Sequence, residues 1–252
     1  MTALEQYDRD GYLSPIDALD DAEVTEMRQA FDELEARISK ETAQIGLAGK
    51  EREIPFIWKF ATHPEILDAV EQVAGPDLLL IATHIFCKYP SDEMGQESFV
   101  AWHQDVTYWG LEPPKAFTAW LAIDDADDDN GAMLILPGSH HLGILDHGKS
   151  DEQGNLLSVN QAISEDDLDP QSAATITLKA GQISLHHGQV VHGSKPNRSS
   201  RRRCGMTIRF TTPDVRWVGD PDQKIAWTPV LVRGEDHYDR LEKVAPPSFA
   251  GA

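Results

Sequence analysis

The sequence predicts a mainly β fold with flanking α-helices, of the jelly-roll type. Two observations carry that prediction. A helical opening third gives way at Leu78 to about eight short apolar runs separated by turn residues. Hydrophobic residues make up 40% of the 252, with 6 Trp and 8 Phe among them, which is enough apolar material for a core and argues against global disorder. No internal repeat and no shift in composition marks a second core. The chain therefore reads as a single domain over 1–252, with a helical lead-in to about 76, a jelly-roll core over about 77–215 and a C-terminal extension over 216–252.

In the lead-in, Val24, Met27, Phe31, Leu34 and Ile38 recur at the three-four spacing of one buried helix face, with Asp20 or Asp21 as the N-cap. A second helix is expected over Pro64–Ala74. Thr62 and Glu65 form a capping-box pattern there, Ile66, Leu67, Val70 and Val73 give the apolar stripe, and Gly75-Pro76 ends it. Strands follow near 78–87, 99–106, 116–123, 132–136, 174–178, 182–187, 189–193 and 203–212. Asn130-Gly131 and Ala180-Gly181 signal turns between apolar runs. The stretch from Leu142 to Pro170 is long and polar, which reads as a candidate lid.

Lys and Arg number 22 against 42 Asp and Glu, a formal net charge of −20. Such acidity repels phosphate backbones and anionic membrane surfaces, which argues against nucleic acid as the main partner. Two cysteines, Cys87 and Cys204, supply neither a disulfide scaffold nor a zinc motif. The polar, acidic start lacks a signal-peptide pattern, and the longest apolar stretch, Leu78 to Ala82, is too short to span a bilayer. The expectation is a cytoplasmic protein that acts on a small molecule, away from any membrane.

The strongest local signal is Trp102-His103-Gln104-Asp105. Residues two apart on a strand share a face, so His103 and Asp105 project together while Gln104 turns away. An imidazole and a carboxylate so placed can hold two neighbouring positions on a metal. The third ligand must come from elsewhere among the 10 histidines. His192, ending a predicted strand in VVHGSKPN, is the best candidate, with His186 and His187 competing and His140 and His141 in a turn sequence. Two His and one carboxylate on one face of an octahedral ion leave three positions open, the arrangement of non-haem Fe(II) oxygenases. Arg203, eleven residues beyond His192, opens the apolar run Cys204 to Phe210 and can return to the level of the metal on an adjacent strand. A planar guanidinium there suits bidentate grip of a carboxylate, and Ser194 can add a hydroxyl from the face of His192. The other members of the basic run, Arg198, Arg201 and Arg202, read as a solvated patch, with Arg202 pointing away from Arg203.

Taken together, these residues resemble the phytanoyl-CoA dioxygenase family of Fe(II)/2-oxoglutarate oxygenases. The resemblance covers roughly 78–212, with a weaker echo in DGYL at Asp10 to Leu13. Its pieces stand in the family's order: WHQD at 102–105, TAWLAIDD at 118–125, NGAMLILPGSH at 130–140, SLHHGQVVHGSKPN at 184–197, then Arg203. The resemblance implies a double-stranded β-helix, the cupin-like form of the jelly-roll. It implies His103, Asp105 and His192 as iron ligands, Arg203 and Ser194 on the distal carboxylate of 2-oxoglutarate, and Trp120 lining the cosubstrate pocket. Halogenating relatives carry Ala or Gly in place of the metal-binding carboxylate, so Asp105 places the chain with the hydroxylating branch.

The implied reaction uses Fe(II), 2-oxoglutarate and O2 to hydroxylate a C–H bond of a small metabolite, converting 2-oxoglutarate to succinate. For substrate contacts the sequence offers Tyr108 and Trp109 as an aromatic wall, Gln104 as a polar group, and Lys88 for an anionic substrate or a carboxylate of 2-oxoglutarate. Two other readings stay open: a non-catalytic jelly-roll binding protein that keeps the metal as structure, and a redox-neutral metalloenzyme of the same fold. Arg203 and Ser194 favour the oxygenase, because neither alternative needs a carboxylate clamp.

Overall fold

The computed structural model describes residues 1–150, 152–157, 161–219 and 229–250; the side chains of Tyr108 and Gln161 also lie outside the description. Two antiparallel sheets carry the fold. The larger contains, in spatial order, β1 (Tyr12–Asp17), β11 (Gln182–His187), β6 (Phe117–Ala122), β13 (Arg203–Thr211), β3 (Leu78–Lys88) and β15 (Val230–Arg233), with the short β2 (Leu47–Ala48) also pairing with β3. The smaller runs β10 (Ala174–Ile176), β7 (Met133–Ile135), β12 (His192–Ser194), β4 (Val100–His103). Two short pairs complete the strands: β5 (Leu111–Glu112) with β14 (Arg216–Trp217), and β8 (Gly148–Lys149) with β9 (Gln161–Ala162).

Period-two alternation on the larger sheet separates a dry face from a functional one. On β13, Cys204, Met206, Ile208 and Phe210 are buried among apolar neighbours, as are Phe117, Ala119 and Leu121 on β6 and Ile183 and Leu185 on β11. That face carries the helices. Tyr7 of α1 (Ala3–Asp10), Met27 and Phe31 of α2 (Asp21–Glu35), Phe60 of α4 (Pro55–Ala61) and Val70 of α5 (Pro64–Ala74) belong to the same core cluster, and Ala43 of α3 (Lys40–Ile45) joins them. A single-turn helix, α6 (Ser91–Met94), follows β3. The residues between the apolar ones, namely Arg203, Thr207 and Arg209 on β13, Thr118 and Trp120 on β6, and Ser184 and His186 on β11, face the smaller sheet. Lys88 of β3 reaching Ser194 of β12, and the His186 ring 4.6 Å from that of His192, mark where the two sheets meet.

The helix over Asp21–Glu35 is capped by Asp20 in a full capping box, as its spacing predicts, and it stops three residues short of Ile38. The helix over Pro64–Ala74 also forms, but the Thr62–Glu65 capping box does not. His63 occupies the N-cap without a side-chain bond, because Pro64 sits at the first helical position and the Thr62 hydroxyl donates to Trp58 O to close α4 instead. The lead-in also contains β1, which the sequence reading left among helices; it lies beside β11 at the sheet edge. Both turn signals are used, Gly131 at φ +78° and Gly181 at φ +84°. Of the candidate lid over 142–170, residues 151 and 158–160 lie outside the described residues. Two of its other residues are anchored: Leu156 and Ile163 are buried, and their N–H groups donate to Phe99 O and Trp102 O.

Phe210 is fully buried on the helix-facing side, opposite Phe117 across the β13–β6 ladder. Truncating such a ring removes its transfer free energy and leaves a cavity. Phe210→Ala should lower unfolding stability by about 3–5 kcal/mol in denaturant titration. A loss below about 1 kcal/mol would show that this face is not the core.

Candidate functional site

His103 is the last residue of β4 and His192 the first of β12, and the two are direct partners in the antiparallel ladder. Their rings lie 4.1 Å apart between centroids. Asp105 does not extend the strand, as the two-residue spacing suggested; β4 ends at His103 and Asp105 opens a 3-10 turn over Asp105–Tyr108. The chain leaves the sheet there because Gln104 is held by other partners. Its amide nitrogen donates to Gly143 O at 2.7 Å and Gln189 O at 2.6 Å, and its oxygen accepts from Leu145 N at 2.8 Å. Val106 N then donates to Gly188 O. The turn still delivers Asp105 beside His103: ligand atoms of His103, Asp105 and His192 all lie within 4.8 Å of one another, and all three residues are buried.

Hydrogen bonds decide which atoms face the centre. His103 Nδ1 lies 2.9 Å from Ala101 O and His192 Nδ1 lies 3.1 Å from Val190 O. A carbonyl only accepts, so each Nδ1 carries the proton and each Nε2 keeps a lone pair for a metal. Asp105 Oδ2 accepts from the Thr118 hydroxyl at 2.7 Å and faces His186 Nε2 at 3.3 Å, which leaves Oδ1 turned toward His103 Nε2 at 3.9 Å. Burial raises the Asp105 carboxyl, but the Arg209 charge, the His186 N–H and the nearby imidazoles outweigh it and hold the group well below the carboxylate range. Burial lowers both ligand histidines, His192 well below the usual imidazole value with His103 and His186 adding to the effect. The donor set is two neutral imidazoles and one carboxylate, a set that suits Fe(II).

A second cluster lies at the other end of β13. Arg203 and Lys88 are direct cross-strand partners and both are buried. The Arg203 guanidinium stacks over Trp120 at 4.6 Å, and its Nε has no hydrogen-bond partner among the described residues. Gly205 makes the stack possible, since a Cβ there would lie 2.1 Å from the Trp120 ring. Lys88 Nζ donates to Ser194 Oγ at 2.6 Å and to Lys195 O at 2.5 Å. Burial pushes the Arg203 guanidinium down to about 10, and burial together with the Arg203 charge holds Lys88 well below the usual lysine range. Two buried cations without a carboxylate among the described residues are costly unless an anion joins them. Arg202, one residue earlier, points outward to Asp124 at 2.8 Å and Glu35 at 2.8 Å, and stacks over Phe31.

The structure thus brings His103, Asp105 and His192 together, and gathers Arg203, Ser194, Trp120 and Lys88 a few residues away on the same lining. Gln104 lies apart from both, its amide saturated by backbone. Trp109 follows the 3-10 turn and lies under the Arg209 guanidinium at 5.3 Å; Tyr108 ends that turn, with its side chain outside the described residues. His187 accepts from Gln189 N, and His140 meets Asp8 O, so neither competes for the centre. His186, a competitor for the third ligand position in the sequence, instead faces Asp105 Oδ2 from beside the triad. Two further neighbours, Thr118 and Arg209, carry no sequence signal except the two-residue alternation, Thr118 from Trp120 and Arg209 from Arg203.

Comparison with known proteins agrees with this geometry. The profile of the phytanoyl-CoA dioxygenase (PhyH) family matches residues 7–205, and the chain belongs to that family. A probable alpha-ketoglutarate-dependent hypophosphite dioxygenase of Stutzerimonas stutzeri is 29% identical over 150 residues, covering 60% of this chain and 51% of that protein, about half its length. The peroxisomal phytanoyl-CoA dioxygenase of Bos taurus is 25% identical over 243 residues, covering 86% of this chain and 70% of that one. Among solved structures, the apo form of the non-heme monooxygenase ThoJ superposes with a TM-score of 0.76 at 30% identity, covering 97% of this chain and 88% of that one. No helix among the described residues is long and apolar enough to cross a membrane.

The lowered histidines set the pH response of metal binding. An imidazole must be neutral to ligate, and one whose value lies below the ordinary ~6.5 stays neutral until the pH falls beneath that point. Ni(II) affinity measured calorimetrically should therefore hold level from pH 8 to about 6.5 and fall only at lower pH. Asp105→Ala should weaken it by more than the roughly 10–100-fold expected of Thr118→Val, which removes only an outer partner. An affinity that declines already above pH 7, or an Asp105→Ala protein that binds as well as wild type, would contradict the ligand assignment.

Proposed function

We propose that this member of the phytanoyl-CoA dioxygenase family is an Fe(II)- and 2-oxoglutarate-dependent oxygenase that hydroxylates a C–H bond of a small molecule. His103 and His192 would hold the iron through Nε2 and Asp105 through Oδ1. Thr118 and His186 fix the carboxylate so that its second oxygen cannot rotate into the same position. The iron supplies activation of O2 at the expense of 2-oxoglutarate, which leaves as succinate and CO2 while one oxygen atom goes to the substrate.

Arg203 carries this reading. Its buried guanidinium, pressed on Trp120 and lacking a partner at Nε, needs a planar anion, and Ser194 and Lys88 add a hydroxyl and a second positive charge beside it. The distal carboxylate of 2-oxoglutarate matches that demand. Lys88 and Arg203 are both buried, and burial strengthens each charge-assisted bond. A metal held only as structure would leave both cations without a purpose, and redox-neutral chemistry requires no dicarboxylate. Retention of Asp105 supports hydroxylation over halogenation.

Succinate formation with Fe(II), ascorbate and 2-oxoglutarate, run across a panel of small polar metabolites and acyl thioesters, tests the activity directly. Losing a hydrogen bond to a charged group costs about 1.5–3 kcal/mol, roughly ten- to hundred-fold in affinity. Arg203→Ala should raise the 2-oxoglutarate requirement by at least that factor while metal affinity holds, and Arg203→Lys should fall between, keeping the charge and losing the fork. Arg202→Ala should cost stability, through Asp124 and Glu35, and leave the 2-oxoglutarate requirement unchanged. If Arg202→Ala impairs 2-oxoglutarate use and Arg203→Ala does not, the assignment fails.

A further inference from the structure

Arg209 lies on the same strand face as Arg203, six residues on, at the metal end of the lining. Its Nη2 stands 3.7 Å from Asp105 Oδ1, the oxygen left for the metal, and its side chain is 17% exposed. That separation is too long for a hydrogen bond. The guanidinium makes no hydrogen bond to any described residue: Nε is buried without a partner, and the group is positioned by its stack over Trp109. Its charge favours the ionised Asp105 across that gap, but the hydrogen bonds that orient the carboxylate come from Thr118 and His186, both on Oδ2. An arginine beside a metal centre whose donors form no hydrogen bond to a described residue is arranged for something that arrives.

Charge balance narrows what arrives. Among the described residues the buried charged side chains are Lys88, Asp105, Arg203 and Glu51, and Glu51 lies on the other face of β3, bonded to Thr83. Take Fe(II) and 2-oxoglutarate as bound. The metal, Lys88 and the two arginines then carry five positive charges, against three negative charges on Asp105 and the cosubstrate. Two positive charges remain uncompensated, and Arg209, its side chain 17% exposed, is the least buried of these side-chain cations. Burying that excess is unfavourable without a further anion.

We propose that Arg209 anchors an oxyanion on the substrate, a carboxylate or a phosphorus oxyanion, so that the substrate class is a small anion whose reacting bond is positioned from its charged group. The assignment rests on the oxygenase reading for the charges of metal and cosubstrate. Arg209 acts here as a specificity-determining residue that touches substrate directly. A fork on a planar or tetrahedral oxyanion fixes orientation as well as affinity, which is what selective attack at one bond requires.

The test is calorimetric binding of two minimal anions, acetate and phosphite, to Ni(II)-loaded protein, each with and without 2-oxoglutarate, for wild type, Arg209→Gln and Arg209→Lys. At least one anion should bind wild type in the presence of 2-oxoglutarate, and which one it is separates the carboxylate source from the phosphorus source. Arg209→Gln should weaken that binding by at least about tenfold, with Arg209→Lys intermediate and the affinities for Ni(II) and 2-oxoglutarate changed by less than about threefold. Equal anion binding in Arg209→Gln, or none in wild type, overturns the proposal. So does loss of Ni(II) affinity in both variants, which would make Arg209 a support for Asp105. Failure of 2-oxoglutarate itself to bind the wild type would overturn the oxygenase reading instead, and the arms without 2-oxoglutarate still decide Arg209.

Discussion

The pairing of β12 with β4, which sets His192 directly opposite His103, is the constraint on which the rest of the site depends. Alternation on a strand has a period of two, so a slip of one residue in β12 or in β4 would turn Gly193 or Trp102 toward the centre and that strand's imidazole away from it. The ladder also fixes the backbone carbonyls of Ala101 and Val190, and these fix which ring nitrogen of each histidine carries the proton. Strand register, tautomer and metal-ready lone pair are thus one linked arrangement. Asp105 joins it from outside the ladder, steered by the hold of Gln104 on the 143–145 backbone and on Gln189 O.

The second sheet supplies the charge. Alternation along β13 sends Cys204, Met206, Ile208 and Phe210 to the helices and Arg203 and Arg209 to the interior, so one nine-residue strand separates the core from the chemistry. Lys88 ties the two sheets together through Ser194 and the carbonyl of Lys195. The exterior is different in character: a net charge of −20 resides on the surface, where Arg202 is taken up by Asp124, Glu35 and Asp32. A strongly acidic protein with a cationic interior favours anions only where its own carboxylates do not reach them.

Much of this was legible in the sequence, because the signals were local and periodic. Eight apolar runs between turn residues place the strands to within a few residues, and HxD followed at a distance by HGS and an arginine opening an apolar run picks out the residues that converge. What escaped has a physical reason in each case. The strand over 99–106 ends at His103 because Gln104 finds backbone partners far away in sequence, and no local pattern shows those. Thr62 resembles a helix start but serves the preceding helix, since Pro64 already presets the next one. Arg209 and Thr118 sit inside runs that read as strand, where a polar residue attracts less attention than one at a strand end. The length and polarity of the 142–170 stretch suggest a lid but do not show the contacts by which Leu156 and Ile163 pin parts of it beside the smaller sheet.

The central claim is that the triad and the Arg203 cluster together hold iron and 2-oxoglutarate in one site. Anaerobic titration of the Fe(II)-loaded protein with 2-oxoglutarate, followed by the visible metal-to-ligand charge-transfer band of the chelate, tests it most directly. The account requires the band to grow to saturation at one equivalent of 2-oxoglutarate per protein, to be absent in Asp105→Ala, and to need at least about tenfold more 2-oxoglutarate in Arg203→Ala. A wild-type protein that binds Fe(II) without developing the band, or an Arg203→Ala protein that saturates at the wild-type concentration, would contradict it.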